Sequence, residues 1–240
     1  MKIRENRLWE SIKKILSILR GIVKHPLSSG ALGAFIATIL MIWLSTPPVY
    51  ISNVTIDQSG ANYTSARWEY YIQPNVEDIF KIKTHWVFFD LDVRNIEDNF
   101  NLSDYEGIEF YIAGCEEDQR IEFSLFTHSF IYDEHRVYQY WDGGKLLVTT
   151  NWKKERILFS NLSIVPWNEY LEAPKKPELD KVFALGFAVH TVKPTKNVIW
   201  IDEVYLIHKN GSKVLISNFN TLNTSINGVE GLWHAGWGRL

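Results

Sequence analysis

Three stretches set carboxylates and imidazoles beside aromatic rings at the two-residue period of a β-strand. In HWVFFDLDV (85–93) one side carries Trp86, Phe88, Asp90 and Asp92. In GIEFYIA (107–113) it carries Glu109 and Tyr111, and in RIEFSLFTH (120–128) Glu122, Ser124, Phe126 and His128. Aromatic faces pack flat on the C–H faces of sugar rings while carboxylates and amides take up hydroxyls, so this mixture suits a carbohydrate. Trp86, Phe88, Asp90, Tyr111, Phe126 and His128 are the predicted contacts, with Tyr138, Tyr140 and Trp141 at the rim. A protein–protein interface would show the same enrichment, and Val49–Asp78 or Asn218–Leu240 could instead cover these rings.

Reaction chemistry is poorly supplied. Asp90 and Asp92 could serve as the acid pair of a glycosidase, but nothing in their spacing sets them across a cleft. G-x-S-x-G, H-E-x-x-H, P-loop and G-x-G-x-x-G patterns are all missing from the sequence, so no catalytic residue and no enzyme are expected. The seven histidines show no i, i+2 or i, i+4 ligand pairing; His85 faces the core with a hydrogen-bond partner, while His128 and His190 share the outward face. The single Cys115 excludes an intramolecular disulfide and a multi-cysteine metal site.

The elements that must position these residues are strands. Apolar runs alternate with Asn/Asp/Gly/Pro/Ser clusters from Tyr50 onward, which predicts an all-β sandwich. Clear strands fall near 81–94, 107–113, 120–128, 136–141, 156–159, 181–191 and 198–208, separated by loops such as GCEEDQ, YDEH, WDGGK and APKKPE. Alternation turns Phe183, Leu185, Phe187 and Val189 inward and Ala184, Gly186, Ala188 and His190 outward. In NVIWIDEVYLI (197–207) strict alternation would bury a carboxylate on either face. A β-bulge at Asp202-Glu203 avoids this and lets Ile199, Ile201, Val204 and Leu206 share the core.

LSDYEGIEFYIAG (102–114), WKKERILFSNL (152–162), LDKVFALGFAV (179–189) and VIWIDEVYLI (198–207) together resemble successive strands of the galactose-binding-like jelly roll. That group includes carbohydrate-binding modules and the complex I intermediate-associated protein type of domain. The resemblance covers roughly residues 80–210, in family order. It implies a jelly-roll β-sandwich and a structural calcium site to which Asp202 contributes. The opening stretch VYISNVTIDQSG lacks the family's acidic D-F-E segment, and carboxylates satisfied by backbone N–H groups or an Arg are the other reading. No further cofactor is implied.

Residues 1–46 hold seven Lys/Arg against Glu5 and Glu10, a net +5, which leaves −8 on the remainder. An acidic body argues against nucleic acid as a partner. Leu27 to Thr46 is uncharged for twenty residues, enough to span about 30 Å of hydrocarbon as a helix. The basic flank keeps the N-terminus cytoplasmic and the body extracytoplasmic, periplasmic or extracellular. Gly30, Gly33, Ala34 and Ala37 line one stripe of that helix, where small residues admit a second helix. Residues 1–26 read as a basic amphipathic helix for the inner leaflet or for a docking partner. Sequons occur at Asn53, Asn62, Asn101, Asn161, Asn210 and Asn223, all beyond the span. A weak echo at an offset of 165, Ile51…Trp68 against Ile216…Trp233, suggests two edge strands that pair.

The expectation is therefore a non-catalytic single-pass membrane protein. Residues 47–79 form a linker and edge strands, 80–210 the jelly-roll core and 211–240 a tail packed on it. It binds glycan or glycoconjugate, or it is a structural accessory subunit docked in a larger membrane complex by its transmembrane helix and its sandwich.

Overall fold

The computed structural model describes residues 48–60, 63–74, 84–95, 98–116, 119–132, 135–165, 174–191 and 194–239. The chain divides into two units, and the one made of 1–47 with 75–77 lies outside the described residues. With it lie the expected amphipathic helix, the expected transmembrane helix and Gly30, Gly33, Ala34 and Ala37, while Asn62 falls in another undescribed stretch. Among the described residues no helix is long and apolar enough to cross a membrane.

The other unit is an all-β sandwich. Its strands are β1 (Val49–Gly60), β2 (Tyr63–Gln73), β3 (His85–Val93), β4 (Tyr105–Gly114), β5 (Gln119–Tyr132), β6 (His135–Val148) and β7 (Lys153–Leu158). They continue with β8 (Ser163–Ile164), β9 (Val182–Thr191), β10 (Thr195–His208), β11 (Lys213–Ser217), β12 (Asn223–Ile226) and β13 (Val229–Arg239). One sheet runs β1-β2-β10-β4-β7, with β11 also on β10, and the other runs β12-β13-β3-β9-β5-β6-β8. Taking β2, β3, β4, β5, β6, β7, β9 and β10 as first to eighth, the sheets read 1-8-3-6 and 2-7-4-5, the strand order of a jelly roll.

Period-2 patterning places the core. Val87, Phe89 and Leu91 on β3, Ile108, Phe110 and Ile112 on β4, and Ile121, Phe123 and Leu125 on β5 are all buried between the sheets. Phe89 is the meeting point: Trp68 of β2 lies 6.1 Å from its ring centroid and Trp233 of β13 4.9 Å. The expected linker and tail are therefore part of the fold, because β2 and β13 each deliver a fully buried indole to it. The expected pairing between the two echoing segments is not how they are used: β1 pairs β2, and β11 pairs β10.

Among the register shifts between strands, three bear on the site. On β10, Asp202 pairs Tyr111 while Tyr205 pairs Glu109, so one extra residue is accommodated at Asp202-Glu203. Glu203 takes φ +46°, and Ile199, Ile201, Val204 and Leu206 all reach the core. On β6, Asp142 pairs Ser124 and Lys145 pairs Glu122, so the expected WDGGK loop is a bulge inside a continuous strand. On β9, Val182 pairs Thr127 and Ala184 pairs Phe126, which turns Phe183 outward, against the expectation of a core residue. There it packs on Phe126, His128 and Tyr138.

The outer face of the β4–β10 sheet is polar. Glu109 is buried beneath Lys213 (2.6 Å), Lys154 (3.4 Å) and Arg156 (3.7 Å). Burial works to raise its carboxyl, but the Lys213 hydrogen bond and Lys154 together hold it below the usual carboxylate range.

Candidate functional site

The outer face of the β3–β9–β5 sheet is built differently. Registers across β13, β3, β9, β5 and β6 set its side chains in rows. Across three strands, one row reads Phe88, Ala188, Glu122, the next Asp90, Gly186, Ser124, and the next Asp92, Ala184, Phe126. In these three rows β9 contributes Ala184, Gly186 and Ala188 between two taller flanks. Trp86 and Phe88 stand on one side, Phe126 and Tyr140 on the other, and the pocket between them is also lined by Asp90, Ser124, Ala188 and His190.

Each wall is braced. Trp86 packs on Phe88 (5.1 Å between centroids) and stacks on His190 (6.4 Å, 14°). Phe88 lies over Gly236 of β13, where a Cβ would come 2.2 Å from its ring. The His234 imidazole meets Phe88 edge-on (5.5 Å, 88°) and is itself held 2.6 Å from Asp92 Oδ2. That hydrogen bond raises the His234 pKa above its ordinary value against the opposing effect of burial. On the far side Phe126 meets Tyr140 edge-on at 4.9 Å.

The surface the pocket presents is almost wholly apolar, and the polar atoms of its lining are buried behind it. Asp90 is only 5% exposed, and among the described residues its Oδ1 accepts no hydrogen bond. Burial, reinforced by the Asp92 charge and only partly opposed by the Phe187 N–H, pushes its carboxyl well above the usual range. The indole N–H of Trp86 likewise has no acceptor among the described residues. Burial lowers the pKa of His190 despite Glu122 3.5 Å away. Burial, then the charges of Glu122, Asp142 and Asp90, hold the Tyr140 hydroxyl protonated.

The structure brings Trp86, Phe88, Asp90 and Phe126 together at this pocket, with Tyr140 from the expected rim. It separates the others. Tyr111 sits on the opposite sheet with Lys154 4.8 Å above its ring. Trp141 is not a rim residue: it is fully buried, and its Nε1 donates to Thr127 Oγ1. His128 shares the face but is buried beside Phe183 and the 42% exposed Tyr138. The register sets His128 and His190 eight residues apart along β5, roughly 27 Å, too far to share a metal. Asp90 and Asp92 follow one another on a single strand edge and do not face each other across a cleft. His85 is buried with its Nδ1 2.5 Å from the Tyr50 hydroxyl. The residues missed from sequence are Ser124 and His190 in the lining and His234 behind it. Ser124 and His190 already stood on the predicted outward faces.

At Asp202 the structure matches the reading of a carboxylate satisfied by a backbone N–H. The residue is 1% exposed, and its Oδ1 accepts the Glu203 backbone N–H at 2.7 Å. Among the described residues no group of three or more His, Cys, Asp or Glu could hold a metal, whereas calcium takes six to eight oxygens. Asn53, Asn101, Asn161, Asn210 and Asn223 are all exposed.

No family model matches the chain, and no curated protein matches it. Solved structures resembling it include a family 11 carbohydrate-binding module of a cellulosomal cellulase from Clostridium thermocellum, 15% identical over 68% of this chain and 84% of that one, TM-score 0.45. Another structure of a family 11 module from that organism, in complex with a β-1,3-1,4-mixed-linked tetrasaccharide, is 16% identical over 68% and 85%, TM-score 0.43. A family 30 carbohydrate-binding module is 14% identical over 67% and 76%, TM-score 0.46. Likeness this distant carries neither a site nor a ligand over to this chain.

Proposed function

We propose that the outer face of the β3–β9–β5 sheet is a non-catalytic glycan-binding surface. One observation carries the reading: rings on both flanks rise over a trough of Gly186 and Ala188, and buried beside it Asp90 Oδ1 and Trp86 Nε1 have no partner among the described residues. A sugar ring supplies both halves of what such a site lacks, C–H faces for the rings and hydroxyls for the polar atoms. The segment Leu27–Thr46 would anchor this face outside a membrane, with residues 1–26 on the cytoplasmic side. Trp86→Ala should abolish retention of the protein on an immobilised glycan without lowering its melting temperature by more than a few degrees. Retention of Trp86→Ala equal to wild type sinks the reading.

A second reading, a structural accessory subunit of a larger membrane complex, is favoured by β1. Among the described residues this strand is paired on one side only and exposes Val49 and Ile51. Under it, Gly30→Leu with Ala34→Leu releases the protein from co-purifying membrane partners while the sandwich stays folded.

A further inference from the structure

Charge is divided between the two outer faces. Lys154, Arg156 and Lys213 gather around Glu109 on one sheet. On the other, no Lys or Arg lines the pocket among the described residues. The charges that reach the Tyr140 hydroxyl there are all acidic: Glu122, Asp142 and Asp90. Asp92 adds its charge next to Asp90, and His234 is the imidazole held against it. The nearby cation, Lys145, is 3.8 Å from Glu122 on a side chain 63% exposed.

A pocket walled by four aromatic rings over a buried carboxyl is an environment that attracts a cation. The ring quadrupoles and the acid act in the same direction, and desolvation strengthens both. Acidic sugars meet like charge here. A neutral sugar brings no charge to Glu122 and Asp142, of which Glu122 already has Lys145 3.8 Å away.

Resting on the glycan reading above, we propose that the pocket selects an amine-bearing sugar, a hexosamine with a free amine. Its ammonium donates to Asp90 Oδ1, and its C–H face packs on Trp86 and Phe88. Arrival of the ammonium compensates the burial of the Asp90 carboxylate, so the proton held there leaves to solvent as the ligand docks.

The test uses the full chain in mild detergent and three tetrasaccharides of equal length: β-1,4-linked glucosamine, its N-acetylated form and the neutral glucan. Titration calorimetry near pH 6, where much of the free amine is protonated, should give at least about tenfold tighter binding of the amine form. Asp90→Asn should bring the amine-to-glucan ratio to within about threefold of unity. Should that variant fail to fold, the wild-type preference must shrink as salt rises toward about 0.5 M, because it is electrostatic. Equal or tighter binding of the neutral or N-acetylated form overturns this inference and leaves the glycan reading standing. A preference insensitive to both Asp90→Asn and salt also overturns it. If none of the three sugars binds, and no other glycan is retained either, both fall.

Discussion

The carboxyl of Asp90 occupies the space that a side chain at position 186 would need: a Cβ on Gly186 would lie 2.3 Å from Asp90 Oδ1 and 2.4 Å from the Phe89 carbonyl oxygen. The glycine is thus a condition for the acid to lie flat on the floor of the pocket. Gly186→Ala must push β3 away from β9 and is expected to cost about 3 kcal/mol in a denaturant titration. Asp90→Ala in the same background should recover part of that loss. If it recovers none, the backbone contact alone is responsible.

The raised pKa of Asp90 has a definite consequence for stability. Its ordinary value is 3.8, and burial moves the folded-state value up. Between the two, the folded protein holds a proton that the unfolded chain has released. The contribution is therefore fully present below pH 3.8 and is lost as pH rises through the folded value. Asp90→Asn has no such proton to lose. Its stability relative to wild type should climb as pH goes from 4 toward neutrality, read from melting temperatures across the series. A difference that does not change with pH would show that Asp90 is already ionised in the fold.

His234 has the same sign for a different reason. Its partner Asp92 raises it above 6.5, so the stabilisation is present below that value and lost as pH rises past the folded one. Both side chains are more than a third exposed, so after solvent screening the effect is no more than about 1 kcal/mol. His234→Asn should cost more stability at about pH 5.5 than near pH 8.5, where only the packing on Phe88 is lost. Because His234 braces Phe88, glycan affinity should weaken over the same interval.

Glu203 sits at φ +46° in the β10 bulge, a conformation that costs a residue with a Cβ about 1–2 kcal/mol. Glu203→Gly removes that strain and gives back part of it as unfolded-state entropy, for a net gain of up to about 1 kcal/mol. Glu203→Val should destabilise, since a branched side chain tolerates this region least. Denaturation midpoints of the pair decide it.

The sandwich and much of its pocket could be read from residue pattern. The alternation in HWVFFDLDV placed Trp86, Phe88 and Asp90 outward, and two adjacent carboxylates exposed the bulge at Asp202-Glu203. The bulge at Phe183 left no such mark, because an aromatic ring is acceptable on either face. Tyr111 shows a deeper limit: periodicity says which side of its strand a residue takes, not which sheet that strand joins. β13 was hidden by composition, since Gly231, Gly236 and Gly238 interrupt the pattern around Trp233. At least one of those glycines is there for the site itself, because Phe88 lies on Gly236.

The pairing of β2 with β10 sets a timetable for synthesis. Ile72 finds its partner Thr195 only 123 residues later, and β3 waits longer still for β13. At about 10 residues per second, roughly twelve seconds separate the appearance of β2 from that of its neighbour. Throughout that interval Trp68, Tyr70 and Ile72 lie on a strand whose one sheet neighbour is β1. The ribosome must release almost the whole body before the first hairpin can be enclosed, so a chaperone that shelters aromatic β-hairpins would govern the yield of this protein.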